Sequence, residues 1–159
     1  MGGTQSYDIK SILPTLPNEF LSKGTDKVHK EDVLNNDIIG IYFSAHWCGP
    51  CRAFTPNLGK FYENVNKEKK QVEIIYCPSD QTLHEFNEYY QTMPWLAIPF
   101  ESDSKDAIAD GLGISSIPTL IIFDKKGNVL DNDGRATIEK QGINAIKTWK
   151  EKQQEFENK

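Results

Sequence analysis

Two cysteines stand two residues apart in the string Trp47-Cys48-Gly49-Pro50-Cys51. Thiols at that spacing can close a disulfide, supply half of a metal site, or stay inert. Their position selects the first. They follow a short apolar run, Ile38-Ile39-Gly40-Ile41-Tyr42-Phe43, that reads as a buried strand. They precede Phe54, Leu58, Phe61, Tyr62 and Val65, whose three- and four-residue steps predict a helix. Cys48 is therefore expected where a strand ends and a helix begins. Unpaired N–H groups and the positive end of the helix dipole favour negative charge there. The negative species is thiolate, the nucleophile of disulfide exchange. Zinc is the weaker alternative, because it normally takes four ligands. The only near extra donor is His46, and Cys77 lies on a separate predicted strand. No metal site is expected.

The rest of the chain has to position this pair. Residues 1–17 show little periodicity and read as a largely irregular N-terminal extension, with 18–159 as one domain. Glu19 to Lys23 and Lys27 to His29 predict a small hairpin around Gly24-Thr25-Asp26. A short helix over Lys30 to Leu34 is broken by Asn35-Asn36-Asp37. Val72-Glu73-Ile74-Ile75-Tyr76-Cys77 is a nearly continuous apolar run, which suits a parallel strand covered on both faces. A helix opens near Pro78-Ser79-Asp80, aligns Leu83, Phe86, Tyr89, Tyr90 and Met93, and ends at Pro94. A loop over Trp95 to Phe100 leads to a short helix from Asp103 to Leu112, stopped by Gly113. Strand 119–123 turns through Asp124-Lys125-Lys126-Gly127 into Asn128-Val129-Leu130, a hairpin signal. One helix from Thr137 to Phe156 closes the chain. A β-α-β unit requires parallel pairing and a right-handed crossover, and the closing hairpin adds antiparallel strands. The expected class is α/β, a central mixed sheet with helices on both faces.

Composition narrows the function. A 38% hydrophobic and 11% aromatic content in 159 residues supplies a core without disulfide staples. A net charge of −5 argues against nucleic acid, whose phosphates need a basic face. Three cysteines are too few, and odd in number, for a secreted disulfide scaffold. With no membrane-length apolar stretch and no signal-peptide core, the expected compartment is the cytoplasm. Met1-Gly2-Gly3-Thr4-Gln5-Ser6 fits the N-myristoylation pattern, and one such chain would give only marginal membrane association.

With the motif and element order together, the chain resembles the thioredoxin superfamily. Trp-Cys-Gly-Pro-Cys is that superfamily's redox signature, and Ile117-Pro118-Thr119 before a strand matches its cis-proline, which faces the disulfide. It is more closely similar to the tryparedoxin and nucleoredoxin branch. Tyr42-Phe43-Ser44-Ala45, Arg52-Ala53-Phe54-Thr55-Pro56, Tyr89-Tyr90, Met93 to Phe100, Gly113 to Leu120 and Gly134-Arg135 carry that similarity. Two residues depart from the branch. Gly49 replaces its usual first spacer proline, and Ser79 stands where it often has tryptophan. Tyr42 occupies the place of the buried aspartate of thioredoxins proper, as it does in this branch, so the proton acceptor for Cys51 is open.

The resemblance implies a thioredoxin fold and a thiol-disulfide oxidoreductase that reduces protein disulfides, for example those of peroxiredoxin-type peroxidases. Cys48 attacks and Cys51 resolves the mixed disulfide. The redox-active pair is the only cofactor expected. Trp47, Gly49, Pro50, Ile117, Pro118 and Arg135 are the expected substrate-binding residues. Trp47 offers a flat apolar surface, with core packing as its alternative role. Gly49 lets the loop pack and leaves room for a substrate backbone, and Pro50 suits the first helical turn. Ile117 offers its backbone to an extended segment, Pro118 keeps metals and bulky groups off the thiols, and Arg135 meets an anionic thiol. His29 and His84 read as surface residues and Cys77 as a small buried one. The electron donor is a reductase or a low-molecular-weight thiol. The alternative is a redox-regulated binding module of nucleoredoxin type with little turnover.

Overall fold

The computed structural model describes Leu13, residues 16–23 and residues 26–158. Most of the 1–17 extension, including the Gly2 motif, lies outside the described residues, as do Gly24 and Thr25 of the hairpin turn. The elements run β1 (Glu19–Leu21), β2 (Lys27–His29), α1 (Lys30–Val33), β3 (Ile38–Ser44) and α2 (Gly49–Val65). Then come β4 (Glu73–Pro78), α3 (Leu83–Tyr90), β5 (Leu96–Ala97), α4 (Ser104–Gly111), β6 (Thr119–Asp124) and β7 (Val129–Asp131). The chain closes with α5 (Gly134–Gln141), a 3-10 turn (Gly142–Asn144) and α6 (Ala145–Glu157).

The described strands form one sheet in the order β2-β1-β5-β4-β3-β6-β7. β3 pairs parallel with β4 across the α2 crossover and antiparallel with β6. β6 and β7 form the expected antiparallel hairpin. Every residue of β3 and β4 is buried. The two-residue period of a strand divides their side chains between two cores. Tyr42, Ile74, Tyr76, Leu120 and Ile122 face α2, α3, α5 and α6, meeting Phe54, Leu58, Tyr89, Ile138 and Trp149. Ile39, Ile41, Phe43, Ile75, Ile121 and Phe123 pack with Val33 of α1, Phe20 of β1 and Ile108 of α4 on the other face. The mixed sheet with helices on both faces is thus as the periodicities predict.

Three elements differ from the sequence reading. The stretch after Pro94 is not all loop, because Leu96–Ala97 pairs parallel with β4 and receives β1 on its other edge. The predicted hairpin thereby joins the main sheet. α3 begins at Leu83, later than Pro78-Ser79-Asp80. β4 continues to Pro78, and Ser79 N–H donates to the Ser44 carbonyl at 2.9 Å. Side-chain caps then start the helix: Glu85 N–H donates to Thr82 Oγ1 at 3.1 Å, and Gln81 N–H, just before the cap, to Glu85 Oε1 at 3.0 Å. The final helix is two helices, broken at Gly142, whose φ of +58° favours a residue without Cβ.

Gly40 faces close packing against β6. A Cβ there would come within 3.0 Å of Ile122 Cδ1 and 3.2 Å of Leu120 Cδ1. A Cβ on Gly134, at the start of α5, would meet the same two side chains at 3.0–3.1 Å. Gly40→Val is expected to lose about 1–3 kcal/mol by overpacking. Urea unfolding of the oxidised protein would measure it, and an unchanged midpoint would contradict this account of the β3–β6–α5 packing.

Candidate active site

β3 delivers the chain to the sheet's edge at Ser44, and a turn closes through Cys48 N–H to the Ala45 carbonyl at 3.2 Å. Cys48 then caps α2 with extended backbone, φ −93° and ψ 112°. Its sulfur accepts the Cys51 N–H at 3.2 Å. Pro50 sits in the first turn, where its missing N–H costs nothing. Cys48 and Cys51 are joined in a disulfide, with Cα atoms 5.2 Å apart. Cys48 retains 6% exposure and Cys51 none, so the pair presents one sulfur outward. Ala45 and Ile117 pack around both.

The Ile117–Pro118 peptide is cis, and Cys48 Sγ lies 3.9 Å from the Ile117 carbonyl oxygen. An open groove of about 590 Å³ runs beside the sulfur, with Trp47, Ser79, Ile114, Ser116 and Ile117 among its walls. None of the described residues lining it is charged. Trp47 is 51% exposed, so the core-packing alternative does not apply. Its indole is pinned, with Nε1 donating to the Ser79 carbonyl at 3.0 Å. The branch's tryptophan position therefore contributes a backbone oxygen to this wall. A Cβ on Gly49 would meet nothing within 4 Å. Packing inside the chain does not require that glycine, and it leaves the outer rim low.

Arg135 is not brought to the groove. Its guanidinium lies 5.8 Å from the Phe54 ring centroid and its Nε 3.4 Å from Glu139 Oε2. His46 turns its ring edge to Tyr89, with centroids 5.9 Å apart. His29 and His84 are exposed. Cys77 is buried, and burial pushes its thiol up to about 12, so it stays protonated. Among the described residues no cluster of three or more His, Cys, Asp or Glu side chains could hold a metal.

Behind the disulfide lies a group of hydroxyls that the sequence reading gave no role. Thr55 Oγ1 donates to the Cys51 carbonyl at 2.9 Å and lies 2.8 Å from Tyr42 OH and 2.6 Å from Tyr89 OH. Tyr89 OH is 2.7 Å from Ser44 Oγ. The sequence signal was a threonine four residues after Cys51, on the face that α2 otherwise fills with apolar side chains. Burial, with Tyr89 adding to it, holds the Tyr42 phenol far above its ordinary value and therefore neutral. Asp80, 6% exposed, accepts the His46 N–H at 2.6 Å and the Tyr76 hydroxyl. Burial raises its carboxyl above the usual range, and those hydrogen bonds oppose the rise.

An outward disulfide at a helix amino end, beside a cis-proline on a mixed sheet, is the arrangement of the thioredoxin fold. Residues 35–129 match the family model described as thioredoxin-like. The probable nucleoredoxin 1 of Arabidopsis thaliana is 33% identical over 157 residues, 98% of this chain and 27% of that protein. The nucleoredoxin of Danio rerio is 38% identical over 106 residues, 66% of this chain and 25% of that protein. The tryparedoxin of Trypanosoma brucei superposes with a TM-score of 0.78 at 32% identity, covering 87% of this chain and 96% of that one. The chain belongs to the thioredoxin-like family, in its tryparedoxin and nucleoredoxin branch. It spans about a quarter of the length of the nucleoredoxins it matches.

Asp80 gives the site a pH signature. Its carboxyl is held above the usual value in the folded protein, so the folded state binds that proton more tightly than the unfolded chain. The stabilisation is full below the ordinary aspartate range and is lost as pH rises through the folded value. Asp80→Asn is expected to flatten that part of the stability–pH curve, measured by thermal unfolding between pH 3 and about 7. An unchanged slope would remove Asp80 as its source.

Proposed function

We propose that the chain reduces disulfides of other proteins through the Cys48–Cys51 pair, with peroxidase-type disulfides as the expected targets. One observation carries the reading: the only accessible sulfur of the pair sits on the amino end of α2, opening onto an uncharged groove. A thiolate is favoured at that end. The Cys48 thiolate attacks a substrate disulfide, and the displaced substrate sulfur leaves as thiolate and takes a proton from water. The Cys51 thiolate then attacks Cys48 Sγ and releases the second substrate thiol. The substrate gains two electrons and two protons, and the pair loses them. A reductase or low-molecular-weight thiol returns them, and no bound cofactor takes part.

The groove suits a neutral, extended protein segment. Trp47 supplies a rigid apolar wall, and the Ile117 backbone lies beside the sulfur for strand-like pairing. Arg135, held by Glu139 and Phe54, meets an anionic thiol in this reading only after leaving both. A cytoplasmic setting fits an accessible dithiol that must be re-reduced. No helix among the described residues is long and apolar enough to cross a membrane. Membrane contact through Gly2 would be weak.

The nucleoredoxin-type binding module has its own support. The exposed Trp47 is an anchor of the kind that docking uses, and the chain corresponds to about a quarter of its nucleoredoxin relatives. Turnover separates the two readings. With dithiothreitol as donor, Cys48→Ser is expected to abolish insulin reduction. Cys51→Ser is expected to accumulate a mixed disulfide visible by mass spectrometry. Reduction by Cys48→Ser at the parent rate would end the reductase reading. Redox-dependent partner capture without turnover would favour the module.

A further inference from the structure

The turn that presents Cys48 is held from outside itself. Residues 45–48 close on the bond from Cys48 N–H to the Ala45 carbonyl, which leaves His46 and Trp47 at the centre. Both central residues are tied to the segment that leaves β4. His46 N–H donates to Asp80 Oδ1 at 2.6 Å, and Trp47 Nε1 donates to the Ser79 carbonyl at 3.0 Å. The residue before the turn is tied there too. The Ser44 carbonyl accepts the Ser79 N–H at 2.9 Å and lies 3.4 Å from Tyr76 OH. Among the described residues, Asp80 supplies the only side chain that hydrogen-bonds the backbone of this turn from another element.

Asp80 is itself fixed. It is buried, and its second oxygen accepts the hydroxyl of Tyr76, whose ring stacks on Phe86 and meets Tyr89 edge-on. The titratable groups that face it are His46 of the turn, Tyr76 of β4 and Glu85 of α3. Neither hydrogen bond requires a full charge. An amide in the same place would accept the His46 N–H through its oxygen and donate to the Tyr76 oxygen. An apolar side chain of similar size would leave the His46 N–H without its acceptor.

We propose that Asp80 is a positioning residue for Cys48: by fixing His46 at the centre of the turn, its carboxyl group keeps the Cys48 sulfur over the amino end of α2. The proposal rests on Cys48 being the nucleophile, as given above. Cys48 is at once the last residue of the turn and the N-cap of α2. A shift of the turn therefore moves the sulfur relative to the Cys51 N–H, 3.2 Å away, and to the Ile117 carbonyl oxygen, 3.9 Å away. The field of a helix end falls off within its first turn, so a small displacement lowers the thiolate fraction. Asp80 acts on the chemistry in this way without touching substrate.

The test is the pH profile of iodoacetamide alkylation in the Cys51→Ser background. Only Cys48 and Cys77 then remain, and Cys77 is buried with its thiol pushed up to about 12, so the profile reads Cys48. Asp80→Leu is expected to raise the midpoint by about one pH unit, which is up to about ten-fold less thiolate near neutral pH. Asp80→Asn, which keeps the acceptor for His46, should hold the parent midpoint. A purely structural role would lower the unfolding midpoint and leave the pH midpoint of the folded protein where it was. Asp80→Ala takes less room and gives the same reading if Asp80→Leu does not fold. A parent midpoint in Asp80→Leu or Asp80→Ala would overturn the positioning role. So would equal rises in Asp80→Asn and Asp80→Leu. An ordinary thiol midpoint of about 8.5 with Asp80 intact would instead overturn the reading of Cys48 as the activated nucleophile.

Discussion

A thiol of ordinary acidity, with a pKa of about 8.5, is mostly protonated at neutral pH. An exchanger of disulfides must hold one sulfur where negative charge is welcome. Here the holding contact is the Cys51 N–H aimed at the Cys48 sulfur, 3.2 Å away at the head of a 17-residue helix. In the proposed reaction the same N–H would face the Cys48 thiolate. Everything around it serves that placement. β3 has to end at Ser44 so that the chain can turn outward, and Ala45 has to close the turn. β3 in turn stays fixed because β4 and β6 pair with it on both edges and two cores cover its faces.

The surroundings avoid undoing this by charge. A buried carboxylate under the site would repel a thiolate at low effective dielectric. Tyr42 places a neutral phenol there, and burial keeps it neutral. The nearest buried carboxylate attached to the active-site loop is Asp80, which burial draws toward its neutral form. On the outer side, the groove walls are uncharged. The helix end therefore faces no competing ion among the described groups that line the groove.

Much of this was legible in the sequence because it is local. The β3 run, the stripe on α2 and the proline in its first turn lie within about thirty residues, and each has a periodic or conformational signature. The Ile117-Pro118 pair and the β6–β7 turn are equally local. What was hidden depends on distant partners. Leu96–Ala97 is too short for any alternation, and only its pairing with β4 and β1 makes it a strand. The break at Gly142 was concealed by helix-forming residues on either side. Arg135 follows a glycine in sequence, but Phe54 and Glu139 decide where it points. The hydroxyl chain joins residues 42, 44, 55 and 89, which no window along the chain contains. Each alone reads as an ordinary core or cap residue.

The asymmetry between the two sulfurs follows from the same geometry. Solvent reaches Cys48 alone, because Cys51 has no exposed surface. The amino end of α2 favours negative charge at Cys48, while burial disfavours it at Cys51. In the proposed dithiol form the two sulfurs therefore face unequal electrostatics. The mixed disulfide reverses the demand. Its formation removes the charge on Cys48, so the second sulfur can ionise without repulsion from the first. In the proposed reaction, covalent capture of substrate and activation of Cys51 would therefore be coupled through electrostatics.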